Sequence, residues 1–291
     1  MQTINLINQL RQQIKQAQQR QLTIGFVPTM GFLHQGHASL IHQARAQCDL
    51  VVVSIFVNPL QFAPTEDLSR YPRDLIRDSK LCADAGVDIL FVPEVNEILG
   101  TQTTYTQVSV SNLDQYLCGA SRRGHFAGVA TIVTKLFNLV QPQRAYFGLK
   151  DIQQFKIIQQ MVADLNFPIE LIGVNTVRDH DGLALSSRNS YLDATQRQQA
   201  LVVPQLIELI SQQLIEAKLN RQQIIAKAND YLFDKVPTAQ ADYIEIVDNL
   251  TLHATDNFKQ DLIVAIAIFI GKTRLIDNQQ LKYTDHGLIK V

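Results

Sequence analysis

Through the first 177 residues, short runs rich in β-branched residues alternate with stretches whose apolar positions recur every three or four residues. This is the alternation of strands and crossover helices in a parallel sheet. It predicts strands at Leu22–Val27, Leu50–Val57, Val87–Val92, Arg144–Phe147 and Ile169–Val177. Between the last three, Val129, Ile132, Val133, Leu136, Phe137 and Val140 share one helical face, and so do Phe155, Ile158, Met161, Val162 and Leu165. At the amino terminus, Ile4, Ile7, Leu10 and Ile14 keep helical spacing within the glutamine-rich stretch Met1–Gln21, which predicts a surface helix.

After the polar stretch Arg178–Asn189 the pattern changes. A long helix is predicted from Asp193, with Gln196 completing a capping-box spacing, and another over Arg221–Lys235; strands follow near Tyr243–Val247 and Leu262–Ile270. The fold class expected is α/β: a Rossmann-like parallel-sheet domain over residues 1–177 and a smaller α+β carboxy-terminal lid domain over residues 178–291. A chain of 291 residues has ample length for both.

Charge narrows the function classes. Lys plus Arg (26) balance Asp plus Glu (27), so nothing draws the chain generally toward nucleic acid or an anionic membrane. The longest apolar run, Leu262–Ile270, falls far short of the roughly 20 residues of a membrane span and reads as a buried strand. Cys48, Cys82 and Cys118 are scattered without paired metal-ligand spacing, which suits a reducing compartment. With no continuous apolar leader at the amino terminus, the expectation is a cytoplasmic protein.

Candidate chemistry begins directly after the first predicted strand, at Pro28-Thr29-Met30-Gly31-Phe32-Leu33-His34-Gln35-Gly36-His37. A strand-to-helix turn at the carboxyl edge of a parallel sheet is where α/β folds bind ligands, and a helix amino terminus suits an anion. Two imidazoles three residues apart, with a glycine between them, can both donate to one phosphate chain. The other readings are a helix cap and a zinc pair; the second lacks a companion cluster of Cys, His or acidic ligands. A second signal is Asp181–Asn189, where Ser186, Ser187 and Arg188 suit a lid closing over a triphosphate.

Taken together, these two motifs resemble the nucleotidyltransferase superfamily that includes the class I aminoacyl-tRNA synthetases. The blocks Pro28–His37, Ser54–Phe62, Gly124–Gln154 and Asp181–Asn189 narrow the resemblance to the pantothenate synthetase (pantoate–beta-alanine ligase) family. It runs over nearly the whole chain and is looser after about residue 195. It implies a homodimer that joins pantoate to beta-alanine, splitting ATP to AMP and pyrophosphate with Mg²⁺ through a pantoyl-adenylate. By the family pattern Met30, Gly31, Phe32, Leu33, His34, Gln35, Gly36 and His37 line the ATP site, joined by Gly148, Leu149, Lys150, Asp151, Val177, Leu185, Ser186, Ser187 and Arg188. Gln61 and Gln154 hold pantoate, and Gln61 with Asn58 borders beta-alanine. The resemblance names no metal ligands. Leu149 and Arg123 depart from it, standing where the family usually has a polar residue and a proline.

The residue types suit that chemistry. A carboxylate is ionised at neutral pH and attacks the α-phosphorus without a base. What the step needs is donors on the phosphate oxygens and departing pyrophosphate, which His34, His37, Lys150, Ser186 and Arg188 supply. Neutral amides at Gln61 and Gln154 can hold a hydroxy acid without pairing off its attacking charge. An amine with a pKa near 10 must then lose a proton, to the adenylate phosphate or to a side chain the sequence does not identify. The rival readings are a cytidylyl- or adenylyltransferase, which would want a more basic acceptor pocket, and a nucleotide- or RNA-binding module, which the charge balance disfavours.

Overall fold

The computed structural model describes residues 1–63, 66–101 and 105–291. In chain order the first elements are β1 (Gln2–Ile4), α1 (Ile7–Gln19), β2 (Ile24–Thr29), α2 (Gln35–Gln47), β3 (Leu50–Ile55), α3 (Leu75–Asp84), β4 (Ile89–Phe91), α4 (Val95–Leu99), α5 (Cys118–Ser121), α6 (His125–Val140), β5 (Arg144–Gly148), α7 (Ile152–Asp164) and β6 (Glu170–Val174). They are followed by α8 (Ala194–Gln199), α9 (Val202–Glu216), α10 (Arg221–Lys235), β7 (Gln240–Asp248), β8 (Leu262–Ile270), β9 (Thr273–Thr284) and β10 (Gly287–Lys290). The chain forms two compact units: one of Met1–Asp114, Arg122–Leu149 and Gln154–Val177, the other of Gln115–Ser121, Lys150–Gln153 and Arg178–Val291.

The first unit is built on a six-stranded parallel sheet in the order β1-β4-β3-β2-β5-β6. Its strands are apolar on both faces, as a sheet covered by helices requires: Val51, Val52 and Val53 are all fully buried. The chain runs outward from β2 to β3 and β4 on one side, and through β5 to β6 on the other. The order therefore reverses between β2 and β5, the topological switch point at which such sheets present ligands from their carboxyl ends. The predicted helical face Val129–Val140 is buried throughout on α6.

The second unit is a four-stranded antiparallel sheet, β10-β9-β8-β7, packed against α9 and α10. Its core gathers Leu206, Ile210 and Leu214 of α9 and Ile224 of α10 with Ile246, Val264, Ile266 and Ile268 of the strands. The fold is thus α/β with a separate α+β unit, as the pattern of the sequence predicts.

Individual elements differ from expectation for physical reasons. Ile4 belongs to an edge strand paired with Phe91 of β4, and the first helix starts only at Ile7. The helix predicted from Asp193 does carry its capping box, but it stops at Gln199 and restarts at Val202. Pro204 is the cause: proline has no N–H to continue the ladder and is accommodated in a first helical turn. Helix α7 ends at Asp164, which leaves Leu165 half exposed rather than on the packed face. Strand β2 runs on through Pro28 and Thr29, where pairing with β5 has ended at Phe26 and only β3 continues alongside.

Candidate active site

Strand β2 delivers Thr29 to the carboxyl edge of the sheet, and the chain then turns into α2 at Gln35. Thr29 Oγ1 donates to the Ser54 carbonyl at 2.8 Å and accepts from the Gly31 amide at 3.2 Å, tying the turn to β3. Gly31 (φ +84°) and Phe32 (φ +51°) are both left-handed, and their successor Leu33 buries its side chain completely. The amides of Phe32 and Leu33 each donate to the Asp78 carboxylate at 2.7 Å.

His34 is the N-cap of α2. Its Nδ1 accepts from the Gly36 amide at 3.1 Å, and the His34 amide donates to Nδ1 of His37 at 3.3 Å, so the two histidines form a reciprocal capping box. The ring centroids lie 4.1 Å apart. Gly36 makes this possible: a Cβ there would sit 2.9 Å from Cε1 of His34. Backbone N–H groups are unambiguous donors, so both Nδ1 atoms are acceptors and, in each neutral ring, the proton is on Nε2. Capping and anion contact, alternatives in the sequence, are thereby compatible on one side chain.

Beyond β3, Asn58 is buried at 2 % exposure and fully engaged. Its Oδ1 accepts from the Leu60 amide, and its Nδ2 donates to Gln61 Oε1 and to the Gly128 carbonyl, each at 3.1 Å. Gln61 Nε2 meets Met30 Sδ at 3.0 Å, so Met30, Asn58 and Gln61 are brought together, with Asn58 as the support beneath Gln61. Sequence reasoning missed the group behind them. His125 Nδ1 donates to the Gln61 carbonyl at 2.7 Å and its Nε2 faces Arg122 Nη1 at 3.0 Å. Arg122 also grips Glu66 with two bonds of 2.7 and 2.8 Å. Burial raises the Glu66 carboxyl, but the bond and charge of Arg122 outweigh it and hold the group below its ordinary range.

At the end of β5, a Cβ on Gly148 would meet nothing within 4 Å, and Leu149 lies against Gly173 of β6, close enough that a Cβ there would come within 2.6 Å of it. The departure at Leu149 thus fills a hollow over a strand glycine. Gln154, on the first turns of α7, and Val177, past β6, are half-buried members of the same unit.

Lys150, Asp151 and Leu185–Arg188 belong to the second unit. The Lys150 ammonium lies 4.0 Å from the Asp151 carboxylate, and its carbonyl accepts from Asn278 Nδ2 at 2.9 Å. Ser186 caps the helical turn Ser187–Tyr191, its hydroxyl accepting from the Arg188 amide. The loop is anchored at its start by a bidentate Arg178–Asp277 pair and at its other end by Asn189 Nδ2 on the Ala184 carbonyl. Among the described residues, Asp179, His180 and Asp181 set ligand atoms within 4.8 Å of one another, but Arg197 already pairs with both carboxylates at 2.9 Å. Both carboxyls are held below their ordinary range, Asp179 at about 2 through its bond to His180 and then Arg197, and Asp181 through Arg197.

A family model described as Pantoate-beta-alanine ligase matches residues 2–280. A pantothenate synthetase of Clostridium botulinum (strain Kyoto / Type A2) is 47% identical over 286 residues, covering 97% of this chain and 100% of the relative. The pantothenate synthetase of Thermus thermophilus superposes with a TM-score of 0.89 at 43% identity, over 96% of this chain and 98% of that one. A pantoate-beta-alanine ligase of Francisella tularensis, solved in complex with beta-gamma ATP and beta-alanine, gives a TM-score of 0.78 at 35% identity, over 96% and 97% of the two chains.

Proposed function

The chain belongs to the pantoate-beta-alanine ligase family, and on that premise we propose that it condenses pantoate with beta-alanine to pantothenate through a pantoyl-adenylate, releasing AMP and pyrophosphate from ATP. The observation that carries this reading is the histidine turn. Both Nδ1 atoms accept backbone amides, which leaves each imidazole protonated at Nε2 and able to donate to a phosphate oxygen at the switch point of the sheet.

In the first step the pantoate carboxylate, ionised and needing no base, attacks the α-phosphorus. Gln61 and Gln154 hold its hydroxyl-bearing body, while Asn58 and His125 fix Gln61 through its side chain and its carbonyl. The Nε2–H groups of His34 and His37, Lys150, Ser186 and Arg188 serve the α-phosphoryl oxygens and the departing pyrophosphate. Charge stabilisation of this kind supplies the largest share of such rate enhancements. In the second step the amine of beta-alanine, bordered by Gln61 with Asn58, gives up its proton to the adenylate phosphate or a neighbouring side chain as it attacks the acyl carbon, and the bond from that carbon to the phosphate oxygen breaks to release AMP.

Mg²⁺ would arrive on the ATP phosphates, and none of these steps runs through it. A homodimer in the cytoplasm completes the reading on the strength of family membership; among the described residues no helix is long and apolar enough to cross a membrane. The deciding experiment is pyrophosphate–ATP exchange with pantoate and Mg²⁺ present and no amine added. Exchange that requires pantoate is the expected result. Exchange with beta-alanine alone, or with no acid at all, would overturn the adenylate.

A further inference from the structure

We propose that Asp78 is the positioning residue of the histidine turn, the group that holds His34 and His37 where they can donate to a phosphate. The proposal rests on the functional reading above only for what the imidazoles touch.

Asp78 lies in the first turns of α3 and is 1 % exposed, a buried carboxylate with no part in the steps already described. Its two oxygens divide between two consecutive amides, Oδ2 on Phe32 and Oδ1 on Leu33, each at 2.7 Å. Those amides follow the two left-handed residues of the turn, and one of the two, Phe32, is not glycine. A side chain held in that region persists only where its surroundings over-determine it. Here the carboxylate fixes the peptide on either side of Phe32, and the Arg77 guanidinium lies over the Phe32 ring at 5.1 Å. Gly31 makes room: a Cβ there would stand 3.1 Å from Asp78 Oδ2 and 3.0 Å from Ile55.

The direction in which the chain leaves Leu33 sets the His34 N-cap, and the N-cap sets both rings through the reciprocal capping box. Asp78 therefore acts on the imidazoles through three residues of backbone. A carboxylate is suited to this because it offers an acceptor to each of two adjacent donors. An asparagine of the same shape keeps one acceptor and turns an NH₂ toward the other amide, donor against donor.

The test compares Asp78→Asn and Asp78→Glu with the native protein, each alone and combined with His37→Ala. The native protein is first shown to catalyse pantoate-dependent pyrophosphate–ATP exchange, which checks the functional reading separately. Asp78→Asn is expected to slow exchange about 100-fold, the loss typical of a catalytic group displaced by an ångström. In the His37→Ala background the same change is expected to cost clearly less, since one of the two groups it positions is already gone. Asp78→Glu, which keeps both acceptors, is expected to retain more activity than Asp78→Asn. A second readout needs no activity: the ¹⁵N shifts of the two imidazoles should show Nε2–H rings in the native protein and a disturbed tautomer or ring environment in Asp78→Asn. The same fold-loss with and without His37, or imidazole signals unchanged in Asp78→Asn, would overturn the proposal.

Discussion

At the residue scale, the site depends on which nitrogen or oxygen is already engaged. His34 and His37 spend Nδ1 on the turn's own amides, whereas His125 uses Nδ1 as a donor to the Gln61 carbonyl. Three imidazoles in one unit thus hold two tautomers, each set by a backbone partner. The Asp179–His180 pair shows the same principle through charge. His180 is raised above its ordinary 6.5 by its hydrogen bond to Asp179 and by the charges of Asp179 and Asp181, while Asp179 is lowered to about 2. A raised histidine stabilises fully below its unfolded value and loses that contribution as pH rises through the folded one; a lowered carboxylate stabilises above its unfolded value and loses it as pH falls through about 2. The pair is therefore at full strength from about pH 4 to about pH 6.5. An NMR titration of His180 should give a midpoint above 6.5, and Asp179→Asn should bring it back toward that value. A midpoint unmoved by the substitution would show that the contact does not persist in solution. Asp78 could not be found in the sequence because 46 residues separate it from Phe32 and nothing in its own helix distinguishes it from a solvated carboxylate.

At the scale of elements, the close approach of α6 to the turn Pro59–Gln61 positions the Gln61 amide. Gly128 is the contact point: a Cβ there would fall 2.2 Å from the Leu60 carbonyl oxygen and 2.9 Å from the Gln61 nitrogen, against backbone that cannot fold aside. Gly128→Ala should force helix and turn apart, lowering stability by about 1–3 kcal/mol. It should also raise the pantoate concentration needed for half-maximal exchange, because Asn58 bonds both the Gly128 carbonyl and Gln61. Calorimetry and the pantoate dependence of exchange check both effects; a variant normal in each would mean that the turn is more compliant than its packing indicates. Long elements with a full period were legible, α6 and β3 above all, as was α10, whose bounds agree with the reading from Arg221 to Lys235. Strands β9 and β10 were not, because Thr273–Thr284 is rich in Asn, Gln and charged residues and its backbone pairing, more than apolar alternation, defines it. Among the candidate residues, the histidine turn and the serine loop announced themselves by residue type. Asp78 beneath the histidine turn, and His125 and Arg122 behind Gln61, act through backbone atoms, and spacing along the chain does not record such contacts.

At the scale of the whole molecule, the second unit is assembled from three separate pieces of chain, and polar bonds join them. Gln153 donates to the Tyr116 carbonyl at 2.6 Å and accepts from the Cys118 amide; Asn278 reaches the Lys150 carbonyl. Excursions this short carry no change of composition, so the sequence holds no sign of them. The piece Gln115–Ser121 is secured through Asp242, which accepts from Ser121 Oγ at 2.9 Å and from Arg274 at 2.6 and 3.1 Å. Arg274 in turn reaches Cys118 Sγ, itself 3.2 Å from the Tyr243 hydroxyl. Asp242→Ala would leave a largely buried guanidinium without its carboxylate, a loss on the order of 3 kcal/mol, and would remove the anchor of Ser121. The expected result is local: a thiol reagent should label Cys118 much faster than in the native protein, while Cys48 and Cys82, buried in the other unit, serve as internal controls. Cys82 is a stringent one, since burial and the nearby Asp78 charge push its thiol up to about 12. Equal acceleration at all three cysteines would instead show that Asp242 supports the global fold, whereas no acceleration would mean that the apolar contacts of the segment hold it without the carboxylate.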